Sequence, residues 1–215
     1  MGHTTDFVGH FDITPPLNPA ECEYLGAFTH SRRWDRPGGP YVVPGNPHAE
    51  EHPDAGDRHN RPAPGQPQLW CQWVMGACAD CLSWDGNEKF YAPVEWLVYL
   101  IDHFLKPGAR ASQVVDPQFD NFTFDHVLDG VVVGCRRDTR ELFAIEVRDN
   151  VVRKHVLRPG DPEPWEVPLP YEAANDRWRT RRLRRNRNLE DEPAIEGKET
   201  VVVDLERRRA AAART

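Results

Sequence analysis

A proline- and glycine-rich stretch early in the chain limits what this sequence can fold into. Residues 37–67 hold eight prolines and five glycines and almost no aliphatic side chains. Proline lacks the amide hydrogen that a helix interior or a central strand requires, so neither element is expected there. A loop of this length within a compact domain is usually functional or disordered. We define residues 32–68 as the Pro/Gly-rich loop and expect it to bind a partner.

Regular structure is predicted on both sides of this loop. Residues 6–14 alternate apolar and polar side chains, which is typical of a half-buried strand. A helix is expected to begin after Asn18, because Pro19 suits its first position and Glu21 can complete a capping box. Residues 93–105 carry apolar side chains at helical spacing and predict the strongest helix of the chain.

The remaining apolar segments predict strands and set the fold class. They are residues 69–75, a short strand through Leu82 and Trp84, and a meander over residues 122–135, 140–147 and 151–157. The order strand, helix, hairpin, helix and three strands indicates an α+β fold. We expect an antiparallel sheet of the split βαβ type, extended by the C-terminal meander, with two helices on one face.

Charge divides the chain into two parts. Residues 1–159 carry 15 basic and 22 acidic side chains, whereas residues 160–215 carry 12 of each, sorted into blocks. We therefore expect an α+β domain over residues 1–159, with the Pro/Gly-rich loop inserted in it, and a charged, arginine-rich extension over residues 160–215. The acidity of the first part argues against a general affinity for nucleic acid.

The sequence also carries signals about the cellular compartment. It has no run of about 18 apolar residues that would predict a transmembrane helix. Its N-terminus lacks the apolar core of a secretory signal. Five cysteines are an odd and sparse set, which argues against a disulfide scaffold and favours a reducing compartment. We expect a cytoplasmic protein.

One set of residues is similar to the zinc site of the nucleobase deaminases. His48 and Glu50 form a His-x-Glu pair, and Cys78 and Cys81 form a Cys-x-x-Cys pair. In those enzymes a histidine and two cysteines hold zinc, and the glutamate transfers protons. Here neither pair opens a predicted helix, and a motif without its structural context is weak. We expect no metal, cofactor or catalytic residue, and retain a zinc-dependent deaminase or hydrolase with Glu50 as its catalytic residue as an alternative.

Aromatic and arginine side chains outside the predicted core are the expected partner contacts, because these types dominate binding energy at interfaces. They are Trp34, Tyr41, Trp165, Tyr171, Arg177, Trp178, Arg181, Arg182, Arg184 and Arg185. Residues 177–187 include seven arginines. Guanidinium groups bind phosphates as well as carboxylates, so a nucleic-acid-binding arm is a second alternative. The acidic body favours a protein surface as the target of this arm.

Three blocks of sequence resemble a group of small bacterial and phage proteins with no known activity. They are Gly-His-Phe-Asp-Ile-Thr-Pro-Pro-Leu at residues 9–17, Leu-Trp-Cys-Gln-Trp at residues 69–73 and Trp-Asp-Gly-Asn-Glu-Lys-Phe-Tyr at residues 84–91. The likeness covers residues 6–157. It implies that Cys71 and the Trp-Asp-Gly turn belong to a shared scaffold, and it supplies no activity.

These observations together predict a non-enzymatic interaction protein. It is expected to be an accessory or structural subunit of a larger assembly. Its partners would be protein subunits, bound through the Pro/Gly-rich loop and the arginine-rich extension.

Overall fold

The computed structural model describes residues 3–44 and 53–162, with only the backbone described for residues 53–56. Its regular elements are strands β1 (Thr5–Thr14), β2 (Trp73–Met75), β3 (Cys81–Trp84), β4 (Val127–Arg136), β5 (Leu142–Arg148) and β6 (Val151–Arg158), and helices α1 (Pro19–His30) and α2 (Pro93–Leu100). The strands form one six-stranded sheet in the order β2-β3-β1-β4-β5-β6. All neighbouring strands are antiparallel. The predicted α+β class is confirmed.

Strand β1 lies at the centre of the sheet and joins its two halves. Its buried side chains Phe7, Phe11 and Ile13 belong to one hydrophobic core that also contains the apolar residues of both helices. Val8 and His10 lie on the other face and are exposed. Both helices therefore cover the same face of the sheet, as the sequence predicts.

Helix α1 begins with the predicted capping box. The Asn18 side chain accepts hydrogen bonds from the amides of Ala20 and Glu21, at 2.9 and 3.1 Å. The Glu21 carboxylate in turn accepts from the Asn18 amide at 2.8 Å. These contacts satisfy amides that have no partner within the helix, and they fix the point where α1 begins.

The second predicted helix is divided. The sequence predicts one helix over residues 93–105, but α2 ends at Leu100 and residues Ile101–Leu105 form a π-helical turn. In this turn the Lys106 amide donates to the Ile101 carbonyl at 3.2 Å. Ile101, Phe104 and Leu105 are all buried, so the wide turn keeps three large side chains in the core.

Two predicted strands begin later than the sequence pattern suggests. The segment 69–72 precedes β2, because the Leu69 carbonyl accepts from the Arg33 amide at 2.7 Å instead of joining the sheet. Residues 122–126 precede β4, where Thr123 and His126 contact the Glu21 carboxylate. In both places contacts with the region around α1 replace the strand pairing.

Strand β6 forms one edge of the sheet, and nearly all of its side chains are exposed. Arg153, Lys154, His155 and Arg158 give it a basic character. A tight turn at Asp149 and Asn150, both with positive φ, joins it to β5. No strand lies beyond β6 among the residues that the structure describes.

Part of the Pro/Gly-rich loop is fixed to the core by a buried arginine. Arg33 is 1% exposed, and its guanidinium lies 3.9 Å from the centre of the Phe28 ring. It donates to the carbonyls of Pro40 and Val42, at 2.6 and 3.1 Å. These bonds hold residues 40–42 against Arg33, which packs on Phe28 of α1. The loop also contains a 3₁₀ helix, Pro53–Asn60, although its proline content predicted no helix there. No helix of the described ranges has the length and apolar character needed to cross a membrane.

Candidate partner-binding groove

A surface groove of about 800 Å³ lies where the Pro/Gly-rich loop meets the sheet. We call it the loop groove. Its walls come from three segments: residues 29–36 after α1, residues 68–72 before β2, and residues 85–91 after β3. His59, from the middle of the loop, also lines it. A pocket of this volume is within the range that binds ligands.

Arg32 holds one wall of the loop groove in place. Its Nε donates to the His59 carbonyl at 3.0 Å, and its terminal nitrogen donates to the Asn60 side chain at 2.9 Å. The Asp35 amide donates to the Arg61 carbonyl at 3.0 Å. These bonds join residues 32–35 of the Pro/Gly-rich loop to residues 59–61, so this wall of the groove has a defined structure.

The opposite wall is the Trp-Asp-Gly turn. Asp85 accepts two hydrogen bonds from Asn87, one from its amide at 2.8 Å and one from its side chain at 2.7 Å. Gln72 donates to the Glu88 carbonyl at 2.9 Å, which fastens the turn to the segment before β2. Gly86 has φ +83°, a conformation that a side chain disfavours. The turn is therefore stabilised by its own hydrogen bonds and by the hydrogen bond from Gln72.

Aromatic side chains give the loop groove its apolar surface. Trp70 is 44% exposed and Tyr91 is 45% exposed, so both present ring faces to solvent. Trp34 is 5% exposed, and its indole Nε1 is buried with no acceptor among the described residues. The indole N–H can only donate a hydrogen bond. The groove thus offers two partly exposed aromatic rings, whereas the Trp34 N–H lies beneath its surface.

The charges of the loop groove are unevenly paired. Its two acidic side chains have partners: Asp85 binds Asn87, and Glu88 lies 3.9 Å from Arg137. Within the described ranges, Arg32 binds only the neutral oxygens of residues 59 and 60, and it stacks 5.7 Å from the centre of the Trp70 ring. Lys89 is exposed, and no hydrogen bond or ion pair to its amine is found within the described ranges. Among the charged residues that line the groove, the cations Arg32, Arg36 and Lys89 outnumber the carboxylates Asp85 and Glu88 by one.

The predicted partner contacts occupy different places. Trp34 lines the loop groove. Tyr41 is half-buried against Phe104 and Phe119, and its hydroxyl lies 2.6 Å from His103 Nδ1. The remaining predicted contacts lie outside the described residues. They are Trp165, Tyr171, Arg177, Trp178, Arg181, Arg182, Arg184 and Arg185.

The residues of the zinc alternative are only partly described. Cys78 lies in the β2–β3 turn and is exposed, and Cys81 begins β3 and is half-buried. Burial raises the pKa of the Cys81 thiol above its usual value. His48 and Glu50 lie outside the described residues. Among the residues that are described, no three histidine, cysteine or acidic side chains form a cluster that could hold a metal ion.

Sequence reasoning missed most of the loop groove. Arg32, Trp70, Lys89 and Tyr91 were not among the predicted contacts, because they come from three segments that the fold brings together. Cys71, between the groove and the core, is buried, and burial raises the pKa of its thiol to about 12. One signal was available: in the sequence Trp70 is out of phase with the buried residues Cys71 and Trp73.

No protein-family model matches the chain, and neither a curated protein nor a solved structure was found to be similar to it. The resemblance to small bacterial and phage proteins stays a prediction.

Proposed function

We propose that the protein is a non-enzymatic interaction protein, an accessory or structural subunit of a larger assembly. The loop groove is its main binding site within the described residues. The arginine-rich residues 177–187 supply a second contact to protein partners. We also propose a cytoplasmic location, with which the five free cysteines agree.

The observation that carries this proposal is the exposed aromatic surface on a rigid frame. Trp70 and Tyr91 are half-exposed, although hydrogen bonds from the Arg33 amide to Leu69 and from Gln72 to Glu88 fix the segments that hold them. Keeping large aromatic rings in water costs free energy that a bound partner recovers. Tryptophan, tyrosine and arginine are also the side chains most enriched at binding hot spots.

A comparison of variants in the native host tests the proposal. The full chain would be affinity-tagged, and co-purifying proteins would be quantified for the unchanged protein, Trp70→Ala and Tyr91→Ala. We expect recovery of a specific partner to fall about tenfold in both variants, as for a hot-spot residue. Val115→Ala is the control, because Val115 is fully exposed and lies outside the groove.

Two results would contradict the proposal. One is an unchanged set of partners in the Trp70 and Tyr91 variants, with thermal stability equal to that of the control. The other is a protein that light scattering shows to be monomeric and without partners in every fraction of the host extract.

A further inference from the structure

The chemistry of the loop groove identifies the kind of segment that fits it, on the premise that the groove is the partner site of the proposed function. We propose that it binds an extended, acidic peptide segment of a partner protein. An acidic side chain of this segment pairs with Arg32 or Lys89, and a proline or aromatic residue next to it packs on Trp70 and Tyr91.

The donors of the groove carry the first step of the argument. Arg32 has five N–H donors, as every arginine does, and the described hydrogen bonds use two of them. The ligand therefore presents acceptors.

Charge narrows the ligand further. Three arginine or lysine side chains line the groove against two carboxylates, and Glu88 lies 3.9 Å from Arg137. Arg32 and Lys89 have no acidic partner within the described ranges. A carboxylate that pairs with a guanidinium forms short, charge-assisted hydrogen bonds. The unfilled interaction in the groove is therefore that of an anion.

The aromatic surface favours an extended peptide over a compact anion. Trp70 and Tyr91 come from separate segments, and both are nearly half-exposed. Extended, proline-containing segments dock on aromatic-lined grooves at a low cost in conformational entropy. The net charge of −7 over residues 1–159 repels every anion, but it disfavours a nucleic acid with one phosphate per nucleotide more than a short peptide with a few carboxylates.

Fluorescence anisotropy with labelled peptides tests this inference on the full chain. The probe is the heptapeptide Pro-Glu-Pro-Trp-Glu-Val-Pro, which combines proline, an aromatic ring and two carboxylates. Matched probes replace both glutamates with glutamine or with lysine. We expect the glutamate probe to bind about tenfold more tightly than the glutamine probe, because only the glutamate probe can form a charge-assisted contact. The lysine probe should bind more weakly still.

Variants of the protein assign the effect to the groove. Lys89→Gln should weaken the glutamate probe and leave the glutamine probe unchanged. Arg32→Gln also removes the bonds to residues 59 and 60, so it should weaken both probes, and the glutamate probe more. Arg58→Gln is the control, because Arg58 is exposed in the same loop and does not line the groove. Trp70→Ala should weaken both probes, since the ring contact does not depend on charge.

Each other outcome overturns the inference in a distinguishable way. Equal binding of the glutamate and glutamine probes, or no binding of either, would contradict the inference that the groove binds an acidic peptide. The proposed function would be unaffected, because it is tested separately by co-purification with the Trp70 and Tyr91 variants. A single-stranded oligonucleotide that binds and is lost with Arg32→Gln identifies nucleic acid instead. The probe sequence also occurs at residues 162–168. Binding that appears only when Glu163→Gln and Glu166→Gln are made in the chain identifies its own segment as the occupant.

Discussion

Glu21 and His126 form a buried pair that joins the start of α1 to the start of β4. Glu21 Oε2 lies 3.1 Å from His126 Nε2, and both side chains are 1% exposed. The other ring nitrogen, Nδ1, donates to the Pro15 carbonyl at 2.7 Å. The second carboxylate oxygen accepts from the amide and hydroxyl of Thr123, at 2.7 and 2.9 Å. One carboxylate thus joins the start of α1 to residues 123–126.

Removal of this charge should destabilise the fold. Glu21→Gln leaves His126 without its acidic partner and places amide hydrogens against the donors of Thr123, which should cost about 3 kcal/mol of unfolding free energy. Urea unfolding at pH 7 measures the change. Glu23→Gln is the matched control, because Glu23 is exposed on the same helix and should stay within about 0.5 kcal/mol.

The difference in unfolding free energy between the unchanged protein and Glu21→Gln should decrease as the pH falls. Burial alone raises the pKa of Glu21, but the hydrogen bonds from Thr123, Asn18 and His126 outweigh it and lower the pKa below the usual value. The stabilisation is therefore complete above about pH 4.5 and is lost as the pH falls through the folded-state pKa. The difference between the unchanged protein and Glu21→Gln should shrink there, and a constant difference down to pH 2 would contradict this assignment.

His103 should make stability fall on mild acidification. Burial and the charge of Arg110 lower the pKa of His103 to about 4, and its ring stacks on Tyr99 at 3.8 Å. The folded state therefore holds the ring neutral, so its stabilisation is complete above about pH 6.5 and is lost between pH 6.5 and 4. We expect a loss of about 2 kcal/mol over this range, since partial solvent contact weakens the effect.

A pH series of urea midpoints measures this loss. His103→Gln should flatten the slope between pH 6.5 and 4, whereas His10→Gln, at an exposed position of β1, should leave it unchanged. An NMR titration in which the His103 ring becomes protonated near pH 6.5 would contradict the prediction.

Replacement of Arg33 should loosen the part of the Pro/Gly-rich loop that its side chain anchors. Burial lowers the pKa of its guanidinium to about 10, and its described hydrogen bonds reach only neutral oxygens. Arg33→Met should cost about 1–3 kcal/mol, because the Val42 carbonyl loses its donor. Hydrogen exchange at residues 39–43 should become faster than in the control Arg58→Met, and unchanged exchange would show that other contacts hold the loop.

Two glycine substitutions should have opposite effects. At Gly134 an added Cβ would lie 2.5 Å from the Phe143 ring, so Gly134→Ala should lower stability by about 1–3 kcal/mol. At Gly26, within α1, the nearest atom is the Met75 Cε at 3.6 Å, so Gly26→Ala should raise stability by about 0.5–1 kcal/mol. Thermal unfolding of both variants checks the pair, and a shift of the same sign would contradict it.

Local patterns in the sequence were enough to predict β1 and α1. The strand alternates along Phe7, Phe11 and Ile13, and these three side chains reach the core. The helix carries its start signal in Asn18 and Glu21, which form the predicted capping box. Both elements are specified by residues that lie within a few positions of each other, so no knowledge of tertiary contacts was needed.

Elements that depend on distant contacts were not predictable in this way. The segment 69–72 has a strand pattern, but the Leu69 carbonyl accepts a hydrogen bond from the Arg33 amide instead of pairing with a strand. The loop groove requires Arg32, Trp70 and Tyr91 to meet, although the second and third lie 38 and 59 residues after the first. Such a juxtaposition follows from the arrangement of the Pro/Gly-rich loop on the sheet, which no local periodicity encodes.

Strand β6, at one edge of the sheet, carries a row of basic residues that affects whether two copies of the protein can pair there. An edge strand presents unpaired amides and carbonyls, and two copies of this protein could in principle pair edge to edge. Such pairing would bring the row Arg153, Lys154 and His155 of one copy against basic residues of the other. Like charges directly opposite each other destabilise a strand pair. The basic side chains of β6 thereby disfavour the pairing of two copies of this protein through this edge of the sheet.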